Sequence, residues 1–180
     1  MACGAAAFGA PASAEKSERA VRRWIAEKGI DVPGLALENG SGLSRIERIS
    51  ARGLGNLLVA AWRSPVMPEL IASFPVVGVD GTFRRRVRHA DVNGSAHIKG
   101  GTINGVRAIA GYVLDAGGRR WSVVCLINHP KVTNANAQPI FDALLQWVYL
   151  RSEKGPARAV ERPLREPVPT QTVTQPAEPE

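Results

Sequence analysis

From residue 96 the sequence changes period, and that change limits the fold more than any other feature. AHIKGG (96–101), VRAIAGYVLD (106–115) and WSVVCLINH (121–129) read as strands, the second and third carrying the β-branched and aromatic residues that strands favour. Ala116-Gly117-Gly118 joins the second and third as a hairpin signal. On either side the spacing is helical. Ala20, Val21, Trp24 and Ile25 share one face of a helix over 15–28, which Gly29 stops. Leu54, Leu57, Leu58, Ala61 and Trp62 form a stripe on a second helix, capped by Ser50 and closed by Ser64-Pro65. A brief helix follows over 68–73. Ile140, Phe141, Leu144, Leu145 and Val148 mark an amphipathic helix able to cover one face of a sheet. Helices, then a three-stranded antiparallel meander, then a covering helix make an α+β arrangement.

The remaining segments read as connections. Leu35-Ala36-Leu37 is a short strand after the Pro33-Gly34 turn, and Ser44-Arg45-Ile46-Glu47 fits a capping box that starts a helix. VVGVDGTFRRRVRHADVNG (76–94) is a loop with turns at Asp80-Gly81 and Asn93-Gly94. Residues 1–14 are almost all small. Residues 154–180 are rich in Pro, Glu and Thr without hydrophobic period, so both ends are expected to be disordered around a partial domain at 15–153. Three strands are few for a sheet. The apolar edge of WSVVCLINH has no charge to protect it, which implies that further strands pair there in a larger parent domain.

The net charge of +7 includes Arg84, Arg85, Arg86 and Arg88 in one run. A solvated face accounts for such a run; an anionic partner is the functional alternative. No aromatic residue interleaves with the arginines, so nucleic-acid stacking is poorly supported. Cys3 and Cys125 have no metal-ligand spacing, and His89, His97 and His129 are scattered, so neither a metal nor another cofactor is expected. No run of about 18 apolar residues is present to span a membrane. The Ala-Ser-Ala at 12–14 lacks the basic and apolar regions of a signal peptide.

Lys99-Gly100-Gly101-Thr102 carries the chemistry. Glycines in a strand mark a bulge or a close approach by another backbone or a ligand. A lysine at the start of an edge strand offers a fixed positive charge to a carboxylate. Glycines without Cβ let a substrate backbone lie alongside as an added strand. The Thr102 N–H can face a developing oxyanion, and its hydroxyl a carboxylate. By strand alternation His97 shares the face of Lys99.

Four segments in order carry a family resemblance: Asn39-Gly40-Ser41-Gly42-Leu43-Ser44-Arg45, Gly78-Val79-Asp80-Gly81-Thr82, Lys99-Gly100-Gly101-Thr102 and AGYVLDAGGRRWSVV (110–124). Over roughly residues 19–149 the chain resembles the C-terminal part of the D-alanyl-D-alanine carboxypeptidase/endopeptidase family, the class C low-molecular-mass penicillin-binding proteins. The resemblance implies the C-terminal half of a transpeptidase/β-lactamase-like domain. It also implies serine peptidase chemistry on peptidoglycan stem peptides ending in D-Ala-D-Ala, β-lactams as inhibitors of the complete enzyme, and a periplasmic or extracytoplasmic location. By the same resemblance Lys99 and Thr102 are catalytic, Thr102 through its oxyanion N–H and carboxylate binding, while Gly100, Gly101, Ser41 and Asp80 bind substrate.

The family surrounds its serine with Ser-x-x-Lys, Ser-x-Asn and Lys-Thr-Gly. Here no serine has Asn two positions later. Ser13-Ala14-Glu15-Lys16 is the one Ser-x-x-Lys, in a polar end where chance explains it, so no nucleophile is assigned. Gly100 stands where the family has threonine, and one lost charge-assisted hydrogen bond costs about 1.5–3 kcal/mol of binding. Asn39 stands where the family has aspartate, a milder change. Ser44 reads as a helix cap, and Asp80 as able to order its own loop. The expectation is therefore a fragment of a carboxypeptidase, inactive alone. The alternative is a non-catalytic module that holds anionic wall polymer, a protein partner or nucleic acid through its basic face.

Overall fold

The computed structural model describes residues 2–84 and 91–151. Arg85, Arg86, Arg88 and His89 of the basic run, and the tail at 154–180, lie outside the described residues. The three strand-like segments form β1 (Ala96–Ile103), β2 (Val106–Leu114) and β3 (Arg120–Asn128). They pair antiparallel in the order β1-β2-β3, the meander read from the sequence.

Directly opposed residues share a face, so the register sorts the sheet into two sides. Ile98, Ile109, Val113 and Val123 lie on one. Helix α5 (Asn134–Leu150) lays Ala137, Phe141, Leu145 and Val148 over them, and all of these side chains are buried. Thr133 caps α5 in a reciprocal box with Asn136. Val77, Phe83 and Val92, from the segment between the helices and the sheet, close the same core. Ile140, expected on the buried stripe, is 53% exposed. The face that meets the sheet repeats at 137, 141, 145 and 148, and Ile140 sits about 100° away from Phe141.

The opposite side of the sheet faces α3 (Ala51–Trp62), whose N-cap Ser50 accepts from Gly53 N. Tyr112 of β2 reaches through to this helix. Its hydroxyl donates to Leu58 O at 2.7 Å, and its ring lies 5.2 Å from Trp62 and 6.3 Å from Phe74. A short α4 (Met67–Ala72) leads from α3 into Phe74.

The N-terminal residues correct the sequence reading. Ala2–Phe8 form a helix, α1, packed on α2 (Ala14–Glu27). Alanine has the highest helix propensity, and the small side chains permit close contact: a Cβ on Gly4 would stand 2.5 Å from Ser17 N. Arg19 covers the Phe8 ring at 4.7 Å. The expected helix at Ser44 is absent too. Ser44 Oγ accepts from Ile46 N and Glu47 N, as a cap does, but the chain turns away afterwards. The short strand at 35–37 reduces to one bridge, Ala36 with Arg48.

Asp115 locks the β2–β3 turn. It is 3% exposed, accepts from Gly117 N and Arg119 N on one oxygen, and accepts from Trp121 Nε1 on the other. Burial works to raise the carboxyl pKa, but the bonds from Trp121, Arg119 and Gly117 outweigh it and hold the group below its ordinary value. A depressed folded pKa stabilises the fold above the unfolded carboxylate value of about 4, and this stabilisation is lost as pH falls through the folded value. Asp115→Ala should cost about 2–3 kcal/mol in denaturant unfolding at neutral pH. Asp115→Asn should flatten the acid limb of the stability profile. An unchanged acid limb would show that another carboxylate carries it.

Candidate active site

The free edge of β1 is covered at one end and open at the other. Val77 N donates to Ala96 O and Ile98 N to Pro75 O, both at 2.9 Å. Backbone groups alternate between the two edges of a strand, so the N–H and C=O of Gly100 and Thr102 point the same way as those of Ile98. Among the described residues no backbone group pairs with them there. Lys99, on the α3 side of the sheet, folds over this open edge and donates from Nζ to Gly100 O at 2.8 Å.

The segment that covers residues 96–98 is fixed by its own loop. Asp80 accepts from Val76 N, and Gly78 N donates to Phe83 O at 3.1 Å. This places the Phe83 ring, 1% exposed, under Gly100. Between β1 and the first turns of α5 lies a groove of about 240 Å³, with Lys99 to Thr102 along one wall, Phe83 on the floor and Arg107 at the end. Arg107 is directly opposite Thr102 in the register and so shares its face. Its Nε donates to Asn134 Oδ1 at 2.7 Å, and its Nη1 to Ile103 O and Val106 O.

Bulge and close approach can now be separated. β1 pairs with β2 without interruption from Ala96 to Ile103, so Gly100-Gly101 is no bulge. A Cβ on Gly100 would meet Phe83 at 3.4 Å, and one on Gly101 would meet Ala108 Cβ at 3.4 Å, both ordinary contacts. Gly111 of β2 is different. A Cβ there would stand 2.0 Å from His97 O, so β1 and β2 pair only because position 111 has no side chain. The pairing glycine of this sheet is Gly111, and the two glycines of β1 leave their edge bare without packing requiring it.

The Asn39–Arg45 turn is built separately and tied to the same hairpin. Glu47 accepts from Glu38 N, Asn39 N and Gly40 N. The bond from Gly40 leads in holding its carboxyl below the ordinary value, against a smaller effect of burial. Asn39 Oδ1 accepts from Ser41 N, and Ser41 Oγ from Leu43 N. Arg45 Nη1 then donates to Asn104 O at the β1–β2 tip, at 2.7 Å.

Of the residues singled out from the sequence, the groove brings together Lys99, Gly100, Gly101 and Thr102. Ser41 and Asp80 do not line it; Ser41 Oγ and Asp80 Oδ1 serve their own turns. His97 alternates onto the Lys99 face, and His129 Nδ1 accepts from Lys131 N. No group of His, Cys, Asp and Glu among the described residues could hold a metal. Phe83, Arg107 and Glu47 were missed. Arg107 had a signal in its place as a charged residue opening an apolar strand. The partners of Phe83 and Glu47 depend on loop geometry.

Three comparisons with known proteins converge. The model of the D-Ala-D-Ala carboxypeptidase 3 (S13) family matches residues 2–149. The D-alanyl-D-alanine carboxypeptidase of an Actinomadura species is 40% identical over 98 residues, covering 52% of this chain and 18% of that protein. Carboxypeptidase DacB of Mycolicibacterium smegmatis is 31% identical over 148 residues, covering 79% of this chain and 32% of that one. The crystal structure of penicillin binding protein 4 from Haemophilus influenzae, complexed with a β-lactam, superposes with a TM-score of 0.75 at 25% identity, over 82% of this chain and 36% of that one. The chain thus spans about a third or less of the length of the relatives it matches.

Substitutions separate the two kinds of glycine. Gly111→Ala should cost about 3 kcal/mol or more, because backbone must move. Gly100→Thr should leave stability unchanged or raise it by roughly 0.5 kcal/mol, since glycine weakens a strand. Thermal melts of both variants decide this, and equal losses would contradict the assignment.

Proposed function

The chain belongs to the D-Ala-D-Ala carboxypeptidase 3 (S13) family, and on that premise we propose that it supplies the substrate-binding edge of a serine-type D-Ala-D-Ala carboxypeptidase/endopeptidase. The substrate is a peptidoglycan stem peptide ending in D-Ala-D-Ala. One observation carries the reading: the N–H and C=O of Gly100 and Thr102 face an open strand edge, with Lys99 folded over it and a groove beside it. An extended peptide can pair with that edge, and Gly101 adds no side chain to obstruct it.

In this reaction a serine attacks the carbonyl between the two D-alanines, the terminal D-Ala leaves, and water hydrolyses the acyl-enzyme. Lys99 binds the terminal carboxylate and holds positive charge beside the proton relay. Releasing Nζ from Gly100 O costs little, because the bond is exposed. The outward Thr102 N–H provides one donor of the oxyanion hole, and the nucleophile's own N–H provides the other. Asp80 acts at a distance, by fixing the segment that sets Phe83 beneath the edge.

These 180 residues supply no acylating serine in this account. Ser13 Oγ accepts from Lys16 N as the cap of α2, while Lys16 Nζ donates to Gly9 O and Pro11 O. That lysine is turned to backbone carbonyls and does not serve a serine. Complete enzymes of this kind would act outside the cytoplasm and be inhibited by β-lactams. No described helix is long and apolar enough to cross a membrane.

Fluorescent penicillin should leave the isolated chain unlabelled. A chimera in which this chain replaces the part of Carboxypeptidase DacB of Mycolicibacterium smegmatis that it matches over 148 residues should release D-Ala from a stem peptide. Lys99→Ala in that chimera should lower kcat/KM by roughly 100-fold or more. An active chimera indifferent to Lys99→Ala would overturn the assignment of the edge.

A further inference from the structure

The groove between β1 and α5 takes its depth from position 100. Its floor belongs to the core, since Phe83, Ala137 and Phe141 are all buried. A packed floor does not yield, so the space above it depends on which atoms stand on β1. A Cβ on Gly100 would lie 3.4 Å from Phe83 Cε2 and 3.5 Å from Cζ. Any side chain at this position therefore rests on that ring and fills the groove above it. Glycine leaves the space open. The groove measures about 240 Å³. That is several times the roughly 30 Å³ that one water occupies in the liquid, a volume close to that of a methyl group.

We propose that this groove is a selectivity pocket for the side chain of the leaving C-terminal D-residue. Gly100 sets it to accept neutral, unbranched side chains longer than the methyl of D-Ala. This deepens the carboxypeptidase reading and rests on it. With the Thr102 N–H at the oxyanion and Lys99 at the carboxylate, the leaving residue spans Gly100 and Gly101. Its side chain departs from the paired backbone toward one face of the sheet. Gly100 is directly opposite Ile109, on the face that α5 covers, and the groove lies on that side. Gln138 of α5 forms the facing wall. Charge narrows the class further. The charged lining residues, Lys99 and Arg107, are both positive, so a cationic side chain is repelled. A thioether chain such as that of methionine suits the space, because it adapts to an irregular groove. Each methylene it buries adds up to about fourfold in affinity.

The test uses the full chain with three probes, acetyl-D-Ala-D-Ala, acetyl-D-Ala-D-Met and acetyl-D-Ala-D-Lys, titrated while the Gly101 and Thr102 backbone amides are followed by NMR. All three carry the same terminal carboxylate, so their differences report the side chain alone. The D-Met peptide should bind about tenfold more tightly than the D-Ala peptide, and at least tenfold more tightly than the D-Lys peptide, whose side chain has similar reach. Gly100→Thr should reverse the D-Met preference over D-Ala, and Gly100→Ala should reduce it partway. If D-Ala binds as tightly as D-Met, or if the D-Met preference survives both variants, the groove does not select the leaving residue. The proposal then falls with the carboxypeptidase reading intact. If D-Lys binds as tightly as D-Met, the assigned class of side chain is wrong and the proposal falls as well. If no probe shifts the β1 amides, the reading of the edge fails and takes this proposal with it.

Discussion

β2 is the strand on which the rest depends. It is hydrogen-bonded along both edges and covered on both faces, by α5 through Ile109 and Val113 and by α3 through Tyr112. The close approach that makes this possible is local. Gly111 sits against the His97 carbonyl, where any side chain would push β1 away. β1 is therefore held at fixed register against a buried strand while its other edge remains open from Lys99 onward. A binding edge made of backbone needs this kind of support, since a donor displaced by 1 Å loses most of its effect on a reacting atom.

The site follows from that placement. Its parts come from three pieces of chain that the β1–β2 hairpin gathers. The 75–83 segment covers the start of β1 and brings Phe83 under Gly100. The Asn39–Arg45 turn, organised by Glu47, clamps the hairpin tip through Arg45. The first turn of α5 holds Arg107 through Asn134. The groove so formed contains cations and no carboxylate, a pattern that fits an anionic chain end.

The parts of this fold written in periodicity were legible in the sequence. The meander, the α3 stripe capped by Ser50 and the covering helix α5 all followed from spacing and turn residues. Capping chemistry was less decisive. Ser44 makes the expected bonds without a helix, because Glu47 is engaged by the backbone of residues 38–40 and the chain is needed for that turn. The alanine-rich start reads as a disordered end because it lacks large apolar residues, whereas smallness there serves the contact between α1 and α2. In the site, Lys99 to Thr102 were found by residue type. Ser41 and Asp80 are marked by their motifs, and Ser41 Oγ and Asp80 Oδ1 serve their own turns. Arg107 belongs to the site through cross-strand register, which no linear motif records.

The central claim is that the open edge of β1 receives a peptide carboxylate. A crystal structure of the chain with acetyl-D-Ala-D-Ala bound tests it most directly. The expected result is an extended peptide paired with the outward groups of Gly100 and Thr102, its carboxylate at Lys99 Nζ. A dipeptide bound elsewhere, or on this edge with its carboxylate turned to solvent, would contradict it.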